Sequence, residues 1–321
     1  MPTKLILDVD TGTDDAVALM LAALHPDLEL VGATTVNGNV PVEFCTENSL
    51  RVFDYIGLSV PVYEGVSRPI ARDDFPIARP DIKSTGAVHG TGYLDIPAAT
   101  ARKQATGGVE FLIETYRAAT EPIILVPVGP MSNIATAFTA EPRLRDLVPE
   151  LVIMGGANQY GNVTPRAEFN VWADPEAARI VLGSGVRKIT LVPLDATHKA
   201  LVSLDDCAAL RALGTQAGEA AARFTERRIA GYDRTQPMKR PNAAPVHDAL
   251  AVASIVDPAV ISTTFLHVDV ETKGELTVGE TVVDTNHRGD GEPNVHVALD
   301  ADEARFVALL LETFARPAPP A

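Results

Sequence analysis

Short apolar runs rich in β-branched residues alternate with stretches of helical apolar spacing, and this alternation constrains the fold of the chain most strongly. The runs that predict strands are Leu5–Val9, Leu28–Thr35, Val60–Tyr63, Ile123–Val128, Leu151–Met154 and Lys188–Val192. The helical patterns between them are Asp14–Leu24, Val42–Ile56, Gly108–Ala119, Asn133–Phe138 and Pro175–Leu182. Strands that are apolar almost throughout are typical of a parallel sheet covered on both faces. We therefore expect a Rossmann-like α/β fold with a mostly parallel central sheet and helices on both faces.

The second half of the chain is predicted to extend this sheet and to cover it further. Predicted helices are Gly218–Ile229, Val246–Val256 and Ala301–Phe314, and predicted strands are Ile261–Val270, Glu275–Asp284 and Asn294–Leu299. The polar, proline-rich stretches Arg68–Thr85 and Gly231–Pro245 are predicted to be loops. Because α/β folds of this length often form one unit, we expect a single domain over residues 1–316 and a Pro/Ala-rich tail at 317–321.

The composition argues against several classes of partner. A net charge of −15 and a pI of about 4.9 disfavour binding to nucleic acid or to an anionic membrane, because both require a basic surface. Cys45 and Cys207 have no metal-site spacing and are expected to be reduced thiols. The N-terminal sequence lacks the apolar segment of a signal peptide, and no stretch approaches the roughly 20 apolar residues of a membrane span. We therefore expect a cytoplasmic protein.

Polar clusters follow four of the predicted strands, at the point where each strand ends. They are Asp8–Asp15, Asn37–Asn39, Gly129–Asn133 and Gly155–Asn158. In an open parallel sheet, ligands bind outside the carboxyl ends of the strands, where such clusters meet. One cluster of this kind would be ordinary turn chemistry, whereas four at the same edge predict a functional site.

The first cluster, in LILDVDTGTDDAVAL, places Asp8, Asp10, Asp14 and Asp15 within eight positions. Asp14 and Asp15 lie in the predicted first turn of a helix, where acidic side chains cap the helix and complement its dipole. Capping alone accounts for one or two carboxylates, and like charges this close raise one another's pKa unless a positive charge neutralises them. No lysine or arginine lies between Leu5 and Leu24. A hard cation such as Ca²⁺ or Mg²⁺ is the simplest explanation.

Three further groups are candidates for function, and each has an ordinary structural alternative. Glu168 and Asn170, preceded by Asn162, could hold the vicinal hydroxyls of a sugar, or could belong to an asparagine-rich surface loop. His247 and Asp248 open an apolar helix in APVHDALAVA, where Asp248 could be merely the N-cap. His89 lies in a glycine-flanked loop, and a lone loop histidine usually has no function. The two histidines matter only if the fold brings them to the same edge of the sheet.

Several motifs together resemble those of one enzyme family, the inosine–uridine-preferring nucleoside hydrolases. They are DVDTGTDDAVAL, NGN, GPMSNIA, MGGANQYGNVTPRAEFNVWADPEAA and PVHDALAV, which occur in the family's order. The resemblance extends from about Lys4 to the closing helix, and the aspartate motif, EFN and HD are very specific as a set. It implies the nucleoside hydrolase fold and hydrolysis of ribonucleosides to ribose and free base.

The resemblance also implies a calcium site and the residues that carry the chemistry. The matching Ca²⁺ ligands are Asp10, Asp15, Asp248 and the backbone carbonyl of Val128. Asp10 also matches the general base that takes a proton from the attacking water, and His247 matches the histidine associated with protonation of the leaving base. These assignments suit cleavage of an N-glycosidic bond. Positive charge develops on the sugar in that reaction, and the base leaves more easily when it is protonated.

Further positions of the resemblance imply contacts with the substrate. Asp14, Asn39, Glu168 and Asn170 match residues that hold ribose hydroxyls, and Asn162 matches one near the 5′-hydroxyl. His89 belongs to a loop that borders the nucleobase pocket in relatives. Met154 and Tyr232 complete the expected substrate-binding set: Asp14, Asn39, His89, Met154, Asn162, Glu168, Asn170 and Tyr232.

Two other functions stay open at this point. The same site could cleave another N-riboside, such as nicotinamide riboside, because the loops that contact the base decide the substrate. Alternatively, the chain could be a catalytically idle protein that binds nucleosides. Relatives imply a homodimer or homotetramer, although no interface can be identified in the sequence.

Overall fold

A computed structural model describes residues 1–75, 86, 88–90 and 92–316 of the chain. The predicted tail at 317–321 and positions 76–85 of the predicted loop Arg68–Thr85 lie outside the described residues. The expectation of a single domain over residues 1–316 stays a prediction.

Twelve strands occur in the described part of the chain. The first six are β1 (Thr3–Val9), β2 (Leu28–Thr35), β3 (Val62–Glu64), β4 (Ile123–Pro127), β5 (Leu151–Met154) and β6 (Ile189–Val192). The others are β7 (Leu201–Ser203), β8 (Ala243–Pro245), β9 (Ile261–Leu266), β10 (Val268–Val270), β11 (Thr281–Val283) and β12 (Val295–Ala301). Eight of them form the central sheet in the order β3-β2-β1-β4-β5-β6-β12-β9. Every neighbouring pair is parallel except β12 and β9, which confirms the mostly parallel sheet.

Helices connect the strands and cover the sheet. In the first half they are α1 (Thr13–Leu24), α2 (Val42–Tyr55), α3 (Gly108–Ala118), α4 (Ser132–Ala140) and α5 (Leu144–Leu147). In the second half they are α6 (Phe169–Ala173), α7 (Pro175–Leu182), α8 (Leu194–Thr197), α9 (Leu204–Ala212), α10 (Gln216–Thr235), α11 (His247–Val256) and α12 (Glu303–Phe314). A short 3₁₀ helix, Pro258–Val260, follows α11. None of the helices among the described residues is long and apolar enough to cross a membrane.

The sheet has an apolar core on each face, as the near-continuous apolar strands predict. Along β1, Leu5 and Leu7 belong to one core and Ile6 belongs to the other, because successive side chains of a strand point to opposite faces. Helices α1, α2, α10, α11 and α12 supply the first core, and α3, α4 and α7 supply the second. The predicted α/β layering with helices on both faces is confirmed.

The predicted loop Gly231–Pro245 is wrong at both ends. Helix α10 continues to Thr235, and Ala243–Pro245 forms β8, which pairs with β7 in an antiparallel ladder. A glycine inside a helix costs about 1 kcal/mol, so Gly231 favours a helix that ends before it, as in the predicted helix Gly218–Ile229. Gly231 and Tyr232 are nevertheless buried against the core, so tertiary packing outweighs the local preference.

Two predicted strands near the C-terminus are also wrong in part. The predicted strand Ile261–Val270 is interrupted at His267, so that β9 joins the central sheet and β10 pairs with β11 instead. Only Thr281–Val283 of the predicted strand Glu275–Asp284 is extended, because Gly279 has a φ of +83° and turns the chain there. A Cβ atom at this glycine would lie 2.6 Å from the Cα of Trp172, so the close approach also requires glycine.

The order of the strands creates a crevice next to β1. The chain leaves β1 into α1 on one face of the sheet, and it leaves β4 into α4 on the other face. Since β1 and β4 are neighbours, their connections diverge at their carboxyl ends, which is the place where α/β sheets bind ligands. The polar clusters that follow β1, β2, β4 and β5 therefore converge.

We expect Phe138→Ala to lower the free energy of unfolding by about 3–5 kcal/mol, because Phe138 of α4 is fully buried in the second core. The matched control is Phe265→Ala on the edge strand β9, whose side chain is 48% exposed and whose loss should cost about 1 kcal/mol or less. Urea unfolding followed by circular dichroism measures both changes. Equal losses in the two variants would contradict the assignment of the second core.

Candidate active site

A cavity of about 50 Å³ lies at the carboxyl ends of β1, β2, β4 and β5. Every residue of the predicted site lines it except Asp15, namely Asp10, Asp14, Asn39, His89, Val128, Met154, Asn162, Glu168, Asn170, Tyr232, His247 and Asp248. The sequence analysis did not predict four other lining residues, Val88, Phe169, Arg228 and Gln236. Ligand sites usually enclose a few hundred Å³, so this cavity must widen before a molecule the size of a nucleoside can enter.

Asp15 lies directly behind the cavity and organises the turn between β1 and α1. Its Oδ1 atom accepts a hydrogen bond from the backbone N–H of Asp10 (3.0 Å), and its Oδ2 atom accepts one from Gly12 (2.9 Å). The side-chain amide of Asn39 also donates to Oδ2 (3.2 Å), while the backbone N–H of Asn39 donates to Asp10 Oδ2 (2.6 Å). Asp15 therefore caps α1 and also lies beside the site.

Asp10 lies between Gly38 and Gly129, and a side chain on either glycine would collide with the Asp10 carboxylate. A Cβ atom on Gly38 would lie 2.0 Å from Asp10 Oδ2, and one on Gly129 would lie 3.0 Å from Asp10 Oδ1. Contacts below 3 Å force atoms to move, so Gly38 in particular is required for the observed position of this carboxylate. The NGN and GPMSN motifs thus supply backbone that closes around Asp10.

Asp8 lies outside the cavity and joins three elements beneath it. Its Oδ1 atom accepts hydrogen bonds from Thr34 Oγ1 (2.5 Å) and Asn133 Nδ2 (2.6 Å). Asn133 in turn accepts a hydrogen bond from the backbone N–H of Val66 (2.8 Å). Burial raises the pKa of Asp8 to about 7. This carboxyl group therefore connects β1, β2 and α4 and has no opening to the cavity.

Glu168 and Asn170 are fixed by the backbone on the opposite wall. Glu168 caps α6 and accepts hydrogen bonds from the N–H groups of Gly156 (2.8 Å) and Asn170 (3.0 Å). The side-chain amide of Asn170 donates to the carbonyl oxygens of Val128 (2.7 Å) and Met154 (3.2 Å). Burial raises the pKa of Glu168 to about 7. The EFN motif is therefore a rigid part of the cavity wall and not a surface loop.

Five carboxylates are buried together at the cavity, and one guanidinium faces them. The carboxylates are those of Asp10, Asp14, Asp15, Glu168 and Asp248, and the guanidinium is that of Arg228. Burial raises the pKa of Asp10 and of Asp248 well above the usual value, and the charges of the neighbouring aspartates raise both further. Among the described residues, none donates a hydrogen bond to the Asp248 carboxylate. This excess of buried negative charge fits a hard divalent cation.

Asp14, Asp15 and His89 form a compact group of possible metal ligands within the described ranges. One ligand atom from each lies within 4.8 Å of the others. His89 Nδ1 accepts a hydrogen bond from the backbone N–H of Thr13 (3.3 Å) and lies 3.7 Å from Asp14 Oδ1. Burial lowers the pKa of His89 to about 4, so its ring is neutral at pH 7. The loop histidine thus reaches the same edge of the sheet as the aspartates.

His247 is held between two hydroxyl groups. Its Nε2 atom lies 2.5 Å from the hydroxyl oxygen of Tyr232, and its Nδ1 atom lies 2.7 Å from Thr197 Oγ1. Burial, and then the charge of Arg228, holds the pKa of His247 well below its usual value. Both ring nitrogens therefore bond to neighbouring side chains, and the Tyr232 hydroxyl is the polar group that His247 contacts in the cavity.

Arg228 was missed inside the predicted helix Gly218–Ile229, and Gln236 was missed because α10 continues past the predicted helix end at Ile229. With α10 extended to Thr235, Arg228 and Tyr232 are four residues apart and share one helix face, and Gln236 follows as the C-cap. Gln236 Nε2 donates to the carbonyl oxygen of Asn162 (2.9 Å) and so links this helix to the loop opposite. An i, i+4, i+8 pattern of polar residues running past Gly231 was the signal in the sequence.

The family described as inosine-uridine preferring nucleoside hydrolase matches residues 5–308. The chain belongs to this family. It is therefore an N-glycosyl hydrolase, and the family to which it belongs is in general metal-dependent.

Individual relatives cover nearly the whole chain. A pyrimidine-specific ribonucleoside hydrolase RihA from Shewanella sp. (strain ANA-3) is 36% identical, over 98% of this chain and 97% of the relative. An inosine-uridine preferring nucleoside hydrolase from Leishmania major is 37% identical, over 98% of both chains. The structure also resembles that of a purine-preferring ribonucleoside hydrolase from Gardnerella vaginalis, with a TM-score of 0.88, 33% identity and 98% coverage of both chains. These three relatives differ in the base that their names specify.

We expect Gly38→Ala to weaken the binding of a divalent cation by about ten- to a hundredfold, because the added methyl group displaces the Asp10 carboxylate. Isothermal titration calorimetry on chelator-treated protein measures the dissociation constant. The matched control is Gly107→Ala at the start of α3, where the nearest atom lies 3.9 Å from the added Cβ atom. Unchanged cation binding in Gly38→Ala would show that Asp10 is not a ligand.

Proposed function

We propose that the chain hydrolyses the N-glycosidic bond of ribonucleosides with Ca²⁺, consuming one water molecule and releasing ribose and the free base. The observation that carries this proposal is that buried carboxylates and amides line one cavity together. Positive charge develops on the ribose ring in the transition state of this reaction, and fixed carboxylates stabilise it. The named activities of the Shewanella and Leishmania relatives support the same class of substrate.

The proposed calcium ligands are the carboxylates of Asp10, Asp15 and Asp248 and the carbonyl oxygen of Val128. Oxygen atoms alone make up this set, as Ca²⁺ prefers. When bound, the ion would act as a Lewis acid and lower the pKa of water. Asp10 is suited to accept a proton from the attacking water, because burial, and then the charge of Asp15, raises its pKa well above the usual value.

The proposed ribose-binding groups are held in fixed orientations before the substrate arrives. Asn170 has its side-chain nitrogen engaged with Val128 and Met154, which leaves its Oδ1 atom for a hydroxyl donor. Asn162 Oδ1 accepts a hydrogen bond from the backbone N–H of Phe169 (2.9 Å), which fixes the residue proposed to lie near the 5′-hydroxyl. Fixed polar groups reduce the free-energy cost of orienting the sugar. The complete proposed set is Asp14, Asn39, Asn162, Glu168 and Asn170.

His89, Met154, Tyr232 and His247 are proposed to serve the nucleobase side of the cavity. The leaving base needs a proton, and the Tyr232 hydroxyl can transfer its own to the base. The Nε2–H group of the neutral His247 ring then donates a hydrogen bond to the resulting phenolate through the 2.5 Å contact, and solvent restores the proton to Tyr232 after the base has left. Thr197 bonds to the other ring nitrogen of His247 and so fixes the orientation of the ring. In this arrangement His247 acts on the base through Tyr232.

Several expectations from the sequence stay predictions. They are the homodimer or homotetramer, the cytoplasmic location, and the absence of nucleic-acid and membrane partners. The net charge of −15 supports the last of these. The named relatives include pyrimidine-specific and purine-preferring enzymes, so the preferred base has to be measured with a panel of nucleosides.

We expect the purified protein to release ribose from at least one of inosine, adenosine, guanosine, uridine and cytidine. Chelator treatment should abolish the release and added Ca²⁺ should restore it, since the buried carboxylates need a cation. A reducing-sugar assay measures the product, and nicotinamide riboside in the same panel tests the alternative substrate. Tight binding of a nucleoside in calorimetry without any ribose release would instead identify a binding protein.

We expect Tyr232→Phe and His247→Ala to slow hydrolysis of inosine or uridine by about 10²–10⁴-fold, the usual contribution of general acid catalysis. The same variants should change hydrolysis of p-nitrophenyl riboside far less, because p-nitrophenolate leaves without a proton. Steady-state kinetics on both substrates measure the ratio. Equal losses on the two substrates would remove Tyr232 and His247 from the proton-donating role.

A further inference from the structure

We propose that Arg228 is a positioning residue. Its ion pair with Asp14 keeps the Asp14 carboxylate from binding the cation and leaves it to contact the sugar. The inference rests on the proposed function, which assigns Asp14 to a ribose hydroxyl, although its cation-binding part needs no substrate to be tested. Among the described residues that line the cavity, Arg228 is the only arginine or lysine. Neither the sequence motifs nor the names of the relatives assign it a role.

The guanidinium of Arg228 is anchored at three points. Its Nε atom donates a hydrogen bond to the carbonyl oxygen of Pro245 (2.9 Å), and Nη1 donates one to Thr13 Oγ1 (3.2 Å). Nη1 also lies 2.7 Å from Asp14 Oδ1. The side chain is 1% exposed, so it cannot exchange these partners for water. Because Pro245 stands two residues before His247, one arginine ties the start of α1 to the segment that carries the HD pair.

This ion pair changes what the Asp14 carboxylate can do. Asp14, Asp15 and His89 offer ligand atoms within 4.8 Å of one another, so Asp14 is close enough to join a metal site. Arg228 forms an ion pair with Oδ1 and places a positive charge beside it, which opposes cation binding there. Neither carboxylate oxygen of Asp14 accepts a hydrogen bond within the described part of the chain, but Oδ1 is fully buried against Arg228 whereas Asp14 lines the cavity. The Oδ2 atom is therefore available to a hydroxyl donor of the substrate.

The arrangement predicts two effects of opposite sign when the arginine is removed. Arg228→Met leaves Asp14 without a counter-charge, so the dissociation constant of Ca²⁺ should fall by about tenfold. The KM for ribonucleosides should rise, because Asp14 turns towards the cation. General damage to the site would weaken cation binding and substrate binding together. The sign of the change in Ca²⁺ affinity therefore separates a positioning role from a merely structural one.

Companion variants keep the test valid if Arg228→Met does not fold. Asp14→Asn combined with Arg228→Met removes both charges, a change that buried ion pairs often tolerate, and it should bind Ca²⁺ more tightly than Asp14→Asn alone. Arg228→Lys keeps the charge but not the planar fork, so Ca²⁺ affinity should stay within about threefold while KM rises. Arg234→Met is the matched control, because it removes a charge from the exposed face of the same helix.

The experiment is calorimetric titration of Ca²⁺ alone into chelator-treated protein, followed by kinetics on the best ribonucleoside of the panel. Tighter Ca²⁺ binding by Arg228→Met, or by the double variant relative to Asp14→Asn, supports the proposal. Unchanged or weaker binding in these variants overturns it, even if the wild-type protein hydrolyses nucleosides. Absence of ribose release by the wild-type protein would refute the proposed function, whereas the calcium titration would still decide the role of Arg228.

Discussion

The mutual repulsion of five buried carboxylates is the constraint on which the rest of this structure depends. Carboxylates removed from water cost several kcal/mol each unless they are paired or hydrogen-bonded. The protein meets part of this cost with backbone N–H groups, as where Asp15 accepts from Asp10 and Gly12 and where Glu168 accepts from Gly156. Such bonds require tight turns after β1 and β5, which explains why glycine-rich motifs follow these strands. Asp10 accepts one backbone N–H group, from Asn39, whereas no described backbone N–H donates to the carboxylates of Asp14 and Asp248.

The remaining negative charge faces two kinds of positive charge. One is the guanidinium of Arg228, which is part of the protein, and the other is the metal ion of the proposed function. Arg228 Nη1 lies 2.7 Å from Asp14 Oδ1, whereas no described residue donates a hydrogen bond to the Asp248 carboxylate. On the proposed function this division separates two tasks, because one carboxylate group serves the sugar and the others hold the ion. The strand order makes the division possible, since β1 and β4 are neighbours while α10 and α11 approach from one face only.

The sequence predicted most of the sheet and most of the cavity lining, for a physical reason. Buried parallel strands are apolar throughout, and the polar residues that follow them, such as Asn39 and Glu168, stand out against that background. Arg228 could not be found in the same way, because it follows no strand and lies inside the predicted helix Gly218–Ile229. The end of that helix was placed too early. Packing of α10 against the first core decided that helix end, and packing between distant segments is invisible to local propensity. The break of the predicted strand Ile261–Val270 at His267 has the same origin, since β10 finds its partner in β11.

The site therefore opposes stability, and the two apolar cores must offset it. Fully buried side chains such as Phe53 in one core and Phe138 in the other surround a sheet whose carboxyl end concentrates like charges. A cation that binds only the folded state adds stability in proportion to the logarithm of its concentration relative to its dissociation constant. Folding and ion binding are coupled through the same carboxylates on this account. On the same account, Arg228 reduces the net negative charge of the site without being a ligand of the ion. It therefore lowers the affinity for the cation while it holds Asp14 in place for the sugar.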